Sequence, residues 1–204
     1  MNIIIYSFIK LGEIVLEEKK AELFKAAQTI FSEKGYKNTN IATIAKKANM
    51  AVGSFYKYYN SKEEIFLEVY ANENRLKREE IMVSLGSIDW YGDAEKIGTQ
   101  MIRIIEIVFK NEILKQWYKP DTADLLRNYY NATGTDNSSY HQFLIQTIMT
   151  GLKNRGISES EIINILKAMK LIIYIDSCVP NNDVDDYEKS MKTLIQYFIE
   201  GILK

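Results

Sequence analysis

The chain has one histidine, His141, and one cysteine, Cys178, among 204 residues. Every nucleophile–base relay of the Ser-His or Cys-His type would have to pass through that single imidazole. No nucleophile elbow, phosphate-binding glycine loop or pair of catalytic carboxylates accompanies it. One cysteine rules out a disulfide framework and a cysteine-based zinc site, and one histidine rules out a histidine-rich metal centre. A metal held by carboxylates alone has no clustered signature. No enzyme activity, metal or cofactor is expected. The chemistry that remains is that of lysine. Residues 17–62 carry nine lysines against four glutamates, a net of +5, while residues 1–16 cancel and residues 63–204 carry −6 of the overall −1. A basic quarter on an acidic remainder suits a surface for a polyanion attached to a part that must not bind it.

The elements that must hold those lysines are helices. Hydrophobic residues make up 47% and charged residues 26%, which excludes wholesale disorder, and only 2 prolines and 10 glycines interrupt the chain. Residues 17–34 place Leu23, Ala27, Ile30 and Phe31 on one stripe, with Gly35 at the expected C-terminal cap. Thr39 is read as the N-cap of a short helix at 41–47 whose face is Ile41, Ile44, Ala45 and Ala48. A second short helix is expected at 52–58. Ser61 and Glu64 form a capping box that opens a long helix at 62–84. Further helices are expected at 94–109, at 112–119, from Asp121 after Pro120, and at 140–154 beyond a loop at 131–139. Ser158 and Glu161 form a second capping box for a helix reaching Cys178. After a break at 180–182, Asp183, Asp185 and Asp186 mark the start of the last helix. No period-two strand is found, so the fold is expected to be all-α.

Two short helices separated by three or four residues form a helix-turn-helix, with Ala45 and Ala48 as the small residues at the crossing and Asn49 as a residue tolerant of left-handed angles. Residues 41–66, IATIAKKANMAVGSFYKYYNSKEEIF, resemble the signature of the tetracycline-repressor (TetR) family of transcriptional regulators. Gly35-Tyr36, Ile44-Ala45, Gly53, Phe55-Tyr56 and Ser61-Lys62-Glu63 stand where that family has them. Asn49 replaces the family's turn glycine, and Ala51 stands where Ser or Thr commonly caps the third helix.

The resemblance implies a helix-turn-helix head at 17–64, preceded by an apolar extension at 1–16, and a helical ligand-binding and dimerisation body at 65–204. It implies a sequence-specific regulator of double-stranded DNA, a homodimer on a palindromic operator, repressing until a small, largely apolar effector releases it. The alternative is a TetR-like DNA-binding protein answering to a protein partner or to no ligand. Val52 and Lys57 would then face or nearly face the DNA, Gly53 would permit close approach and Ser54 would donate to a base or a phosphate, with Thr39, Tyr56 and Lys62 on phosphate. Lys46 and its neighbour Lys47 divide evenly between DNA and a solvated face. Phe55 and Tyr59 are read as core.

In the body, residues 158–178 are apolar around almost the whole circumference, and the last helix carries a near-heptad seam. Both point to a four-helix dimer interface through Ile165, Met169, Ile172, Met191, Leu194 and Phe198. The aromatic-rich middle supplies the candidate effector residues Phe109, Trp117, Tyr118, Tyr129, His141 and Tyr174. Asp176 reads two ways, as a carboxylate that neutralises a cationic ligand or as a helix-end carboxylate facing solvent. Glu106 is expected to pair with Arg103. The apolar stretch MNIIIYSFIKLGEIVL lacks a signal-peptide charge pattern and a cleavage site, and is too short to span a bilayer. It is read as an extension of the first helix, an interfacial anchor or a start-site artefact. A cytoplasmic protein without membrane partners is expected.

Overall fold

A computed structural model describes the backbone of residues 2–133, 138–178 and 184–203, and the side chains of 16–133, 139–172, 174–176 and 184–203. Nine α-helices and one 3-10 helix account for the described elements, with no strand among them. In chain order these are α1 (Asn2–Lys34), α2 (Ile41–Lys47), α3 (Val52–Phe55), α4 (Lys62–Gly86), α5 (Ala94–Phe109), the 3-10 helix (Leu114–Tyr118), α6 (Pro120–Thr133), α7 (Ser138–Asn154), α8 (Glu159–Cys178) and α9 (Tyr187–Leu203). The chain divides into a head, Met1–Glu73, and a body, Asn74–Lys204, so the boundary falls inside α4. Helix α1 runs unbroken from Asn2. The packing face expected of residues 1–16 lies largely outside the described side chains.

The head is built on the stripe that the sequence marks. Leu23, Ala27 and Phe31 of α1, Ile44 and Ala45 of α2, Phe55 of α3 and Ile65, Phe66 and Val69 of α4 are fully buried. Phe66 is the hub, with Phe31 edge-on at 5.1 Å and Tyr36 at 4.7 Å, arrangements that add to area burial. Gly35 closes α1 at φ 71°, and its N–H donates to Phe31 O.

Local signals place most termini and miss a few by a residue or a turn. The Ser61 hydroxyl accepts from the Glu64 N–H at 3.1 Å, and Ser158 accepts from the Glu161 N–H at 3.3 Å, as capping boxes require. The N-cap of α2 is Asn40, not Thr39: the Asn40 side chain accepts from the Thr43 N–H at 2.8 Å. The Thr39 hydroxyl donates instead to Gly35 O at 2.7 Å, and the residue is buried. Pro120 is the first residue of α6, where its missing N–H costs nothing. Helix α6 continues to Thr133 and α7 begins at Ser138, so both ends of the loop expected at 131–139 are helical, and residues 134–137 lie outside the described ones. Helix α9 begins at Tyr187 rather than at Asp183, which with 180–182 is not described.

The body has two apolar cores. The larger gathers Ile81 and Leu85 of α4, Ile97 and Ile104 of α5, Ile148 and Leu152 of α7, Ile162 of α8 and Ile199 and Leu203 of α9. The smaller holds Phe109, Tyr187 and Met191. Trp90, after α4, lies against Gly151 of α7 so closely that a Cβ there would fall 2.0 Å from the indole. Arg155 secures the same loop by donating to Gly92 O at 2.9 Å.

The dimer residues divide between the two sides of their helices. Ile165 and Met169 pack against the larger core, Ile172 against the smaller, and Met191 is buried within it. Phe198 is partly buried. Because α8 and α9 pack on each other and α9 packs on α5, the apolar face left open is a different one. On α8 it carries Ile163, Leu171 and Tyr174, and on α9 Leu194 and Tyr197.

Candidate functional site

The turn between α2 and α3 fixes the head's outward face. Asn49 sits at φ 55°, the left-handed region that a short polar side chain tolerates. The Met50 N–H then donates to Ala45 O at 2.8 Å, closing the turn. The N-cap of α3 is Ala51, whose methyl makes no side-chain cap. The helix buries Phe55, leaves Val52 and Gly53 exposed and Ser54 half-buried, and is followed by exposed Tyr56 and Lys57. Lys46 and Lys47 at the end of α2 are also exposed. Tyr59 is buried with Phe55, ring centroids 5.8 Å apart. No Cβ contact lies near Gly53, so its value is the absence of a side chain facing outward.

Two residues read as phosphate contacts spend their polar atoms inside the head. The Lys62 ammonium donates to Tyr36 O and to Thr39 O, both at 3.1 Å, and stands 4.0 Å from the Tyr36 ring centroid. It thus caps the carbonyls of the α1–α2 connection, where a cation is favoured. Thr39, with its hydroxyl on Gly35 O, belongs to the same connection. Next to Lys62, Glu63 accepts from the Tyr36 hydroxyl at 2.6 Å. That hydrogen bond holds the Glu63 carboxyl below the usual range, while burial and then Glu63 push the Tyr36 phenol up. No local pattern marks this clamp, because it joins residues 26 and 23 positions apart.

In the body, the candidate effector residues separate into a cluster and two outliers. Phe109, the last residue of α5, stacks on Tyr118 with centroids 5.6 Å apart, and Tyr118 meets Tyr187 at 5.9 Å. Trp117 stands edge-on to Tyr130 at 6.2 Å, and Tyr129 to Tyr130 at 5.3 Å. The Trp117 Nε1 donates to the Asp176 carbonyl at 3.4 Å. Tyr130 in turn accepts from Asn74 of α4 at 2.7 Å. His141 and Tyr174 are exposed, because α7 and α8 carry them on faces turned away from the cores. Partial burial and Arg78 hold His141 below the ordinary histidine range.

Asp176 is not the solvent-facing helix-end carboxylate that one reading allowed. Its Oδ1 is buried and has no hydrogen-bond partner among the described residues. Burial pushes the carboxyl up to about 6, against the opposing pull of Arg127, Tyr187 and Tyr118. Arg127 and Tyr187 are the members of this cluster that residue types alone did not single out as effector contacts.

Glu106 pairs with Lys110 at 2.6 Å and Lys192 at 3.1 Å rather than with Arg103, since a lysine four residues later suits a helical glutamate better. It lines a groove of about 360 Å3 between α4 and α5 that is charged rather than aromatic. Among the described residues no three His, Cys, Asp or Glu side chains gather as a metal site would need, and no helix is long and apolar enough to cross a membrane.

Residues 23–69 match the family described as bacterial regulatory proteins, tetR family. The chain is 30% identical over 96 residues to the uncharacterised HTH-type transcriptional regulator YdgC of Bacillus subtilis, a stretch covering 46% of this chain and 47% of that protein. The chain therefore spans less than half the length of that relative. A TetR-family regulator structure from Mesorhizobium loti superposes with a TM-score of 0.51 at 20% identity, covering 92% of this chain and 96% of the other. The regulator FadR of Bacillus subtilis, in complex with stearoyl-CoA, superposes with a TM-score of 0.50 at 15% identity, covering 90% and 97%. Residues 23–69 match the tetR family of bacterial regulatory proteins, and the chain has the fold of the superposed Mesorhizobium loti regulator.

Proposed function

We propose that this protein is a sequence-specific regulator of transcription that binds double-stranded DNA as a homodimer and represses until a small, largely apolar effector enters the body. The observation that carries the reading is the α2–α3 turn. Asn49 at φ 55° aims α3 and the residues after it outward, with Val52, Gly53, Tyr56 and Lys57 exposed, in a segment (residues 17–62) of net charge +5. In a major groove, Val52, Gly53 and Ser54 at the start of α3 meet base edges, and Lys57, Tyr56 and Lys46 meet phosphate. The open apolar face of α8 and α9 supports the dimer, and a palindromic operator needs two heads. The aromatic cluster around Tyr118 supports the effector, as does the stearoyl-CoA carried by the FadR neighbour of the same fold.

Binding to a mixed-sequence duplex across a salt series tests this. Affinity should fall steeply with salt, and Lys57→Ala should flatten the log–log slope by about one. Lys62→Met should weaken binding to all sequences alike while keeping the wild-type slope, since its ammonium serves the α1–α2 carbonyls. A duplex affinity indifferent to salt would sink the DNA-binding reading.

A further inference from the structure

The head lacks the side chains that most often read bases. All five arginines stand at Arg75 or beyond, so none belongs to the head at residues 1–73. Arginine bidentate to guanine is the commonest specific contact in the major groove, and asparagine or glutamine reads adenine in the same two-pronged way. The amides around the turn are engaged within the chain. Asn38 donates to Lys34 O at 3.2 Å, the Asn40 side chain accepts from the Thr43 N–H, and Asn60 donates to Glu64 at 2.9 Å. Gln28, the one glutamine of the head, donates to Glu73.

The outward surface of α3 is apolar instead. Val52 is 44% exposed, and Ala51 beside it is exposed as well. Gly53 follows, with open space where a Cβ would project. Two methyl-bearing side chains thus precede a position that has none, which leaves the backbone free to come close to a surface lying against them. We infer that Val52, with the Ala51 methyl next to it, reads thymine C5-methyl groups in the major groove, so that A·T pairs are chosen by apolar contact. The inference rests on the DNA-binding reading above and names the base which that reading leaves open. Among the bases thymine alone presents a methyl group in that groove, and small apolar groups are its partners. The branched Val52 side chain is stiff at χ1 and loses little freedom on contact. The exposed ammonium groups of Lys46, Lys47 and Lys57 draw in the phosphates without choosing a base.

The test takes as its probe the duplex that the full chain selects from a random-sequence pool. Deoxyuridine replaces each thymine of that duplex in turn, which removes the C5 methyl and keeps the pairing. At one or more thymines the affinity should fall about fourfold, the worth of one buried methyl-sized group. Val52→Ala, a change at an exposed residue outside the core, should bring the thymine and deoxyuridine duplexes to within about twofold of each other at such a position. The variant should keep the wild-type salt slope, because no charge is lost. Bidentate reading by a lysine or by Asn49 would show as sensitivity to 7-deazaguanine or 7-deazaadenine. Such sensitivity with deoxyuridine tolerated everywhere, or a deoxyuridine penalty that Val52→Ala leaves unchanged, would overturn the inference. In both cases the selected duplex still demonstrates sequence-specific binding, so the reading above stands. A pool that yields no preferred duplex would remove both.

Discussion

At the scale of single residues, Asp176 and Lys62 are opposites. Lys62 finds two carbonyls and a ring for one ammonium, whereas Asp176 leaves a buried oxygen without a donor among the described residues. The imbalance at Asp176 gives a signed dependence on pH. Its carboxyl rises from 3.8 to about 6 on folding, so the folded chain holds the proton more tightly than the unfolded one. This contribution to stability is fully present below 3.8 and is lost as pH rises through about 6. Asp176→Asn should therefore raise stability at neutral pH, by about 1–3 kcal/mol, and flatten the change in melting temperature across that window. Melting curves of both proteins on either side of the window check this, and parallel pH profiles would contradict it. The sequence showed that Asp176 lay in an apolar stretch, but its surroundings include rings from two other elements, the 3-10 helix and α9. For Lys62 the residue type and place were legible, while its acceptors lie across a turn that no local pattern encodes. The one-residue slip at Thr39 has a simpler origin: Thr39 and Asn40 are both capping types, and Gly35 O takes the first hydroxyl.

Helices show where periodicity stops being informative. The stripe of α1 has a clear phase, so Leu23, Ala27, Ile30 and Phe31 could be assigned inward, and all are buried. Residues 158–178 are apolar nearly all round and have no phase to read, so the inward and outward faces of α8 were indistinguishable until α9 and α7 were placed against it. Ile165 and Met169 proved to serve this chain's own core. The exposed faces carry the expectation for the dimer. Leu194→Glu with Tyr197→Glu should yield a folded monomer by sedimentation and light scattering, since both side chains are exposed at 43% and 69%. Met191→Ala should instead destabilise each chain by about 2–5 kcal/mol through a core cavity. A double variant that remains dimeric would move the interface off these helices.

The whole molecule concentrates its positive charge in one stretch, residues 17–62 at +5 against −6 for residues 63–204, and that asymmetry was legible from charge alone. An effector in the body can change DNA affinity only through a coupling free energy, so it must prefer one DNA-binding competence over the other. Coupling of about 1–3 kcal/mol corresponds to roughly 5–150-fold weaker duplex binding at saturation. Reciprocity requires the duplex to weaken effector binding by the same factor, which titrations in both orders can compare. Equal effector affinity with and without duplex would remove the coupling while leaving the effector site in place. Helix α4 is the covalent element shared by both units. Its body half is fastened by Asn74 to Tyr130 and by Arg78 over the Tyr140 ring at 5.1 Å.

The close seat of Trp90 on Gly151 has an optical consequence. The chain has two tryptophans, and they occupy opposite kinds of surroundings. Trp90 is buried against a helix with no room even for a methyl group, so its emission should be blue-shifted and its anisotropy high. Trp117 is partly exposed, hydrogen-bonded to the Asp176 backbone carbonyl and edge-on to Tyr130, so its emission should be redder and responsive to whatever enters the cluster. A Trp117→Phe chain would then glow from a fixed lamp, and a Trp90→Phe chain from a local gauge. The native protein carries both an internal standard and a sensor, readable without any attached dye.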